Sequence, residues 1–346
     1  MSRTEDGGLK GRLQAGLPAT RKRQAETHYT ESTYTINLIV TLTINPAIDR
    51  IFSVDRLAFE DRSYINSVGE SAGGRGINAS RVIHSFGGDT RAVLITGGDS
   101  GKRLEAHLAE SGFLTTLVPI QNDIRTNLTI TDRHGLTVNL NETGPELSKA
   151  EVARVEQAVR DSLDDASWLL MCGSLPPGVP SSFYGKMIAM ARKKKVKTLL
   201  HADREALREG IEQQPTIVTP NQQEAERLLG RTLLTRSHHL EAATQIRSMG
   251  AESVVLSLGS RGAIGAFADG LIEALPPRVD AVCPIGAGDA LSAAYTWRST
   301  HKKNHADALR WGVAAGTASA RLPGMNFASL AQVEEVYRHV EIRRVD

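Results

Sequence analysis

The densest candidate chemistry in this chain is the run Pro284-Ile285-Gly286-Ala287-Gly288-Asp289, which is followed by an apolar stretch from Ala290 to Trp297. Three consecutive small residues allow a tight turn and expose bare N–H groups, because glycine has no Cβ to obstruct an approaching oxygen. A helix starting here would hold those groups at its positive end, where a phosphate oxygen is stabilised. Asp289 would then stand inside the anion cradle, placed to take a proton from an attacking hydroxyl. A carboxylate beside an anion hole suits phosphoryl transfer, where positioning and charge neutralisation supply most of the catalysis. Taken alone, the run also reads as a Gly-rich turn capped by an Asp.

Four other polar or glycine-rich segments weigh in the same direction. They are Gly73-Gly74-Arg75-Gly76-Ile77-Asn78, Gly173-Ser174-Leu175-Pro176-Pro177-Gly178, Asn221-Gln222-Gln223-Glu224, and Ser257-Leu258-Gly259 with Gly262. Each follows a strand-like run or opens a helix-like one, so all five belong on one rim of a sheet. Three other motifs carry nothing. Ser100-Gly101-Lys102 has Thr96 where a phosphate loop requires Gly, and Arg103 where Ser or Thr must hold magnesium. Gly74-Arg75-Gly76 lacks the third glycine of a dinucleotide fingerprint. His238-His239 has no further ligand at metal spacing and reads as two solvated surface histidines.

The elements that must position these segments follow from periodicity. Thr35–Leu42 is a β-branched, apolar strand, and Ile51–Val54 and Tyr64–Val68 are short strands flanking a polar turn. Ile77–Phe86 has helical spacing, 92–95 is a buried strand, and a helix runs from about Gly101 to Ser111. Asn127–Thr131 and Leu136–Leu140 alternate as an antiparallel hairpin. Ser148 and Glu151 form a capping box for a helix reaching about Leu163. The rhythm then becomes regular: strand 168–172, helix 181–194, strand 196–200, strand 216–219, helices 221–229 and 239–249, strand 253–257, a hairpin over 263–275 and three closing helices. Strands alternating with helices predict an α/β protein with a mostly parallel sheet covered on both faces. The early short strands and the hairpin break that rhythm and read as a small β-lid over the C-terminal edge of the sheet, where open α/β sheets place ligands.

Composition bounds the function. The 346 residues suit one large α/β domain with an appendage, and a net charge of +2 makes no electrostatic case for nucleic acid or membrane. The basic run Arg192-Lys193-Lys194-Lys195 reads as a solvated helix C-terminus. Two cysteines, Cys172 and Cys283, are too few for a disulfide framework and fit a reducing, cytoplasmic setting. Residues 1–33 lack the apolar core of a secretory signal and read as a disordered extension or an over-long translation start. Cys283, Trp168 and Trp311 read as packing residues.

Over roughly residues 36–340 this set of segments, in this order, resembles the ribokinase-like (PfkB) sugar kinases. The runs Thr43-Ile44-Asn45-Pro46-Ala47-Ile48-Asp49, Gly73–Asn78, Arg125-Thr126-Asn127 and Gly173–Val179 are similar to the phosphosugar branch of that family. The resemblance implies a three-layer αβα sandwich spanning 34–346, with a mostly parallel central sheet and a lid built from about 50–70 and 125–141. It implies Asp289 as catalytic base, with Gly286, Ala287 and Gly288 as the anion hole. Asn221 and Glu224 match the motif that organises Mg2+ and the ATP phosphates, largely through water, and Ser257, Gly259 and Gly262 match a loop along the nucleotide. Asp49, Gly73, Gly74 and Asn78 match contacts to sugar hydroxyls. Arg62, Arg125 and Asn127, with Arg75 and Ser174, fall where the branch holds the phosphate already on its substrate. The chemistry implied is ATP-dependent phosphorylation of a ketohexose phosphate, fructose 1-phosphate first, with fructose 6-phosphate or tagatose 6-phosphate at O1 as the rival. A kinase of an unphosphorylated sugar and a non-catalytic sugar-phosphate sensor are the alternatives, and a homodimer through the lids is implied. Three departures mark the chain: Arg75 replaces a Lys, Leu200-His201-Ala202-Asp203-Arg204 replaces an Asp-Thr-(Ser/Asp)-Gly segment, and Pro284 removes a hydroxyl and an N–H near a monovalent-cation site.

Overall fold

The computed structural model describes residues 37–58, 60–301 and 304–345; the extension expected over 1–33 lies outside them. Fourteen strands and ten α-helices follow in the order β1 (Leu38–Thr43), β2 (Ala47–Val54), β3 (Ile65–Gly73), α1 (Arg75–Ser85), β4 (Thr90–Thr96), α2 (Gly98–Ala109), β5 (Leu114–Pro119), β6 (Arg125–Asp132), β7 (Thr137–Asn141), α3 (Lys149–Ser162), β8 (Ala166–Cys172), α4 (Phe183–Lys193), β9 (Lys197–His201), α5 (Arg204–Glu212), β10 (Ile217–Val218), α6 (Gln222–Leu229), α7 (Arg236–Ser248), β11 (Val254–Ser257), β12 (Ala263–Phe267), β13 (Gly270–Leu275), α8 (Ala287–His301), α9 (His305–Ala320), α10 (Leu330–Tyr337) and β14 (Glu341–Val345).

Ten strands form one sheet in the order β14-β13-β12-β11-β10-β9-β8-β1-β4-β5. The seven from β11 to β5 are parallel, and β12, β13 and β14 close the other edge antiparallel. Central strands are buried on both faces, so they read as continuous apolar runs. Alternation then sorts their side chains. Val40, Leu42, Leu169, Met171 and Leu200 pack under α2 to α7, whereas Ile39, Trp168, Leu170 and Leu199 pack against α1, α8, α9 and α10. The result is the predicted three-layer sandwich, with Trp168 and Trp311 in its core.

A second sheet, β3-β2-β6-β7, is the predicted small sheet. Its pleat separates two surfaces. Asp49, Asn127, Thr129, Asn139 and Asn141 share one face, while Val68, Phe52, Ile130 and Val138 form a row across the other.

Three elements went unread in the sequence: β5, α5 and β14. The short edge strand Leu114–Pro119 mixes apolar and polar residues without clean alternation, and α5 spans only nine residues, with Gly210 in its last turn. The final strand, EIRRV, is charged and mostly exposed, as edge strands commonly are. One reading is corrected. His239 is not solvated but 2% exposed, because it shares the inner stripe of α7 with Ala242, Ala243 and Ile246 at helical spacing. His238 behaves nearer to expectation, its Nδ1 accepting from the Leu234 amide.

Helices α8 and α9 pack face to face through small residues. A Cβ added to Gly316 would lie 2.9 Å from the carbonyl oxygen of Ala287, the first residue of α8. Gly316→Val should therefore force the helices apart at the mouth of α8 and destabilise the protein by about 1–3 kcal/mol, as overpacking does. Gly69→Ala, whose Cβ meets nothing closer than 4.0 Å, should leave the thermal midpoint nearly unchanged. Equal melting of the two variants would refute this account of the α8–α9 contact.

Candidate functional site

A cleft of about 1590 Å³ opens between the small sheet and the C-terminal ends of the parallel strands. It is lined by Asp49, Gly74, Arg75, Asn78, Arg125, Asn127, Ser174, Asn221, Ser257, Gly259, Gly262, and Gly286 to Asp289. The five predicted segments thus meet in one place.

At the deep end, Asp289 is the third residue of α8 and is 7% exposed. Its Oδ2 accepts a 2.9 Å hydrogen bond from Asn78 Nδ2 on α1. Burial pushes the carboxyl up to about 6; the Arg75 charge and the Asn78 hydrogen bond pull against that rise, and Glu224 and Asp49 reinforce it. Asn78 was expected to contact sugar hydroxyls, but here its amide nitrogen is committed to the carboxylate and its Oδ1 remains buried without a partner. Ala287 also departs from expectation. Its N–H donates to the Pro284 carbonyl at 3.2 Å, closing a turn, so Ala287 has already spent its donor.

Arg75 opens α1 and reaches across the cleft to α6, where its Nη1 donates to Glu224 Oε1 at 3.0 Å. Glu224 is 1% exposed and also caps its own helix. Its Oε2 accepts the Asn221 N–H at 2.9 Å while Asn221 Oδ1 accepts the Glu224 N–H, a reciprocal capping box. Both Glu224 oxygens therefore have donors, and among the described residues no group of three or more His, Cys, Asp or Glu could cage an ion. These residues fit a hydrated Mg2+ held through water and nucleotide phosphates, the usual state of that ion, rather than an all-protein cage.

The lid end holds another carboxylate. Asp49 on β2 lies directly across from Asn127 on β6, whose Nδ2 donates to Asp49 Oδ1 at 2.8 Å. Burial raises the Asp49 carboxyl, and Asn127 and Arg125 act against the rise. Gly73 is required here because any Cβ would sit 2.1 Å from Asp49 Oδ2. Arg125 Nη1 donates to the Glu142 carbonyl at 3.0 Å, while its Nε is buried and unpaired. Ser174 Oγ accepts from Asn45 Nδ2 at 3.1 Å. Three predicted residues lie outside the cleft lining: Gly73, packed behind Asp49, Glu224, held behind Arg75, and Arg62, which is exposed in the loop between β2 and β3. That loop joins Val54 to Ile65, at the opposite strand ends from Asp49 and Gly73.

Sequence reasoning missed Thr43, Asn45, Asn139, Asn141 and His201. Asn139 and Asn141 were available through strand alternation, since they face Thr129 and Asn127 across the hairpin. His201 ends β9 beside the paired Cys172 and is 5% exposed; burial, joined by the Arg75 charge, holds its imidazole well below its ordinary range. Ten buried side-chain polar atoms lack partners among the described residues, and six of them, on Thr43, Asn45, Asn78, Arg125, Asn127 and His201, belong to residues lining this cleft. Buried polar groups are normally satisfied, so such a concentration marks a site shaped for a polar ligand.

Comparisons with known proteins agree with this geometry. Residues 37–331 match the pfkB family of carbohydrate kinases. A 1-phosphofructokinase of Vibrio cholerae is 24% identical over 304 residues, covering 88% of this chain and 96% of that protein. Escherichia coli phosphofructokinase-2, solved with fructose-6-phosphate, is 29% identical with a TM-score of 0.81, covering 88% of this chain and 99% of its own; a tetrameric inhibited form of it aligns equally well. A possible 1-phosphofructokinase of Thermotoga maritima, 24% identical, shares the fold with a TM-score of 0.84 over 90% of this chain and 100% of its own. Sugar kinases of this kind use ATP, generally with a divalent metal. Fold, cleft and family match converge: the chain belongs to the pfkB family of carbohydrate kinases and is a phosphotransferase acting on a sugar hydroxyl.

Proposed function

We propose that the chain is an ATP-dependent kinase of a ketohexose phosphate, with fructose 1-phosphate as acceptor and fructose 1,6-bisphosphate as product. The observation that carries this reading is the convergence of unsatisfied polar atoms on one cleft that also holds a buried, anchored carboxylate. Asp49, Asn127 and Asn45 supply paired donors and acceptors for vicinal hydroxyls. Arg125 retains an unpaired guanidinium edge, a rigid fork suited to a phosphate already on the sugar. Gly74 and Ser174 complete that end, and Gly73 gives Asp49 the room to sit there. Ser257, Gly259, Gly262 and Asn221 lie along the opposite end and suit the nucleotide.

In the reaction the acceptor hydroxyl oxygen bonds to the γ-phosphorus as the bond to the β–γ bridging oxygen breaks. Asp289 takes the hydroxyl proton. The amides of Gly286 and Gly288 at the mouth of α8, together with Arg75, receive the charge of the transferring group. When bound, Mg2+ supplies further neutralisation of the nucleotide phosphates, organised by Asn221 and Glu224. The sensor alternative gains no support from a cleft in which Asp289, Asn221 and Glu224 are all assembled. A second reading at the same site, transfer to O1 of fructose 6-phosphate, is favoured by the fructose-6-phosphate complex of the E. coli relative.

Coupled ADP release over a panel of fructose 1-phosphate, fructose 6-phosphate, tagatose 6-phosphate and fructose should show the highest kcat/KM with fructose 1-phosphate. Asp289→Asn should lower kcat about 10²–10⁴-fold, the usual contribution of a positioned base. The base works ionised, so kcat/KM should hold at neutral pH and fall as pH drops through about 6, where the carboxyl of the free enzyme takes up its proton. Intact turnover in the Asn variant would sink the proposal.

Arg125→Ala should raise KM for the sugar phosphate at least tenfold and leave KM for ATP unchanged. An unaltered sugar KM would reassign the chain to an unphosphorylated acceptor.

The lid face opposite the cleft leaves Val68 53% and Leu140 52% exposed, with Ile65 at 57% nearby. A small sheet with an uncovered apolar face is marginal alone, so a second copy of the chain covers it in a homodimer. Sedimentation velocity at micromolar concentration should give a dimer, and Val68→Lys with Leu140→Lys a monomer; a monomeric parent protein would reject the arrangement.

A further inference from the structure

His201 is a buried titratable side chain lining the cleft that the proposed reaction leaves without a task. It ends β9, is 5% exposed, and its Nδ1 is buried with no hydrogen-bond partner. Two carboxylates face its ring. Nδ1 lies 3.8 Å from Asp289 Oδ1, and Nε2 lies 3.9 Å from Glu224 Oε2. They differ in what they need. Glu224 already accepts from Arg75 through Oε1 and from the Asn221 amide through Oε2. Asp289 accepts from Asn78 through Oδ2 only, and among the described residues Oδ1 accepts from none. A 3.8 Å gap is also too narrow for a bridging water, since two hydrogen bonds in series span about 4.5 Å or more. A ring turn or carboxyl shift of under about 1 Å brings Nδ1–H into bonding range.

We propose that His201 is a positioning residue for phosphoryl transfer: as the neutral Nδ1–H tautomer it donates to Asp289 Oδ1 in the ligand-filled cleft, so that Asn78 and His201 together fix the plane of the carboxylate. The inference rests on Asp289 acting as the base. A neutral imidazole has one donor and one acceptor nitrogen, and which is which follows from what each faces. A neutral ring has a single proton to place, and the orphaned Nδ1 faces the Asp289 oxygen that lacks a donor. Placing it on Nδ1 satisfies the buried orphan and the unpaired carboxylate oxygen at once. The Nε2 lone pair then lies on the side of Glu224, whose Oε2 already accepts from the Asn221 amide and needs no proton from the ring. A carboxylate held at both oxygens keeps one lone-pair direction for the incoming hydroxyl. A carboxylate held only by Asn78 can rotate about its Cβ–Cγ bond and misplace that lone pair by roughly 1 Å, an error worth about 10²-fold in rate.

Amide side chains separate the two ring nitrogens. Asn carries its NH₂ near the place of Nδ1, whereas Gln carries it near Nε2. His201→Asn should keep kcat within about threefold of the parent, while His201→Gln and His201→Ala should lose about 10–100-fold. KM for sugar phosphate and for ATP should stay within about threefold in all three, with rates normalised to the folded, nucleotide-binding fraction so that a folding loss does not enter. Because His201 acts through Asp289, adding His201→Gln to an Asp289→Asn protein should cost no further activity. Equal losses in the Asn, Gln and Ala variants, losses confined to KM, no loss at all, or additive losses in the double variant would each overturn the inference. Asp289→Asn measured alongside keeps two failures apart: turnover surviving there removes the base itself, whereas its loss beside indifferent His201 variants removes only the positioning role.

Discussion

A single buried hydrogen bond, from Asn78 to Asp289, ties together the starts of two helices 211 residues apart in the chain, and the chemistry of the cleft depends on it. An ionised carboxylate taken out of water is costly unless it is hydrogen-bonded or faces a cation. At the mouth of α8 it has one direct side-chain donor and the charge of Arg75 nearby, and burial still outweighs them, which is why the carboxyl rises to about 6. The arrangement is possible because α1 and α8 lie on the same face of the large sheet and share one apolar core, Ala79, Val82 and Ile83 on the first, Ala290, Ala293 and Ala294 on the second. Small residues at that contact let the helices approach closely enough for the amide of one to reach the acid of the other.

The same balance explains the placement of the cations. Arg75 is committed to Glu224, and Arg125 to the Glu142 carbonyl, each with donors to spare. A guanidinium presents five N–H groups in a plane, so either can hold its protein partner with one edge and a phosphate with another. A half-buried pair such as Arg75–Glu224 adds little net stability, because desolvation of the carboxylate offsets most of the attraction. Its value lies in geometry: it fixes a cation close to Asp289, between the proposed sugar and nucleotide ends of the cleft.

The sheet, the lid and the Asp289 motif were legible because each is written in local pattern: period-two runs, capping boxes, and glycines at strand ends. The capping box at Ser148 and Glu151 is present as read. The same pattern at Asn221 and Glu224 was read only as a ligand motif, and the structure shows it is a cap as well. What stayed hidden depends on distance between segments. Nothing in Gly73–Asn78 says that Asn78 will meet Asp289, or that His201 will end its strand between two carboxylates. His239 was misread for the opposite reason: the pair was weighed as metal chemistry, while its spacing with Ala242 and Ile246 already placed it on a buried stripe. Arg62 failed because family position was taken as spatial position, and a loop beyond the end of a strand need not follow the strand.

The lid shows how one constraint produces two surfaces. Side chains on a strand alternate, so the register that sets Asp49 opposite Asn127 and Thr129 opposite Asn139 also sets Phe52 opposite Ile130 and Leu128 opposite Leu140. The polar set faces the cleft, and the apolar set is therefore obliged to face away from it. A one-residue slip in either strand would exchange the sets, turning apolar side chains into the cleft and the carboxamides away from it. The bond between Thr129 Oγ1 and Asn139 and the bond from Asn127 to Asp49 oppose such a slip from the polar side. Packing of the Phe52, Ile130 and Val138 row opposes it from the other side. The apolar outer face and the polar cleft face are thus two consequences of one strand register, so a change that loosens either face must disturb both.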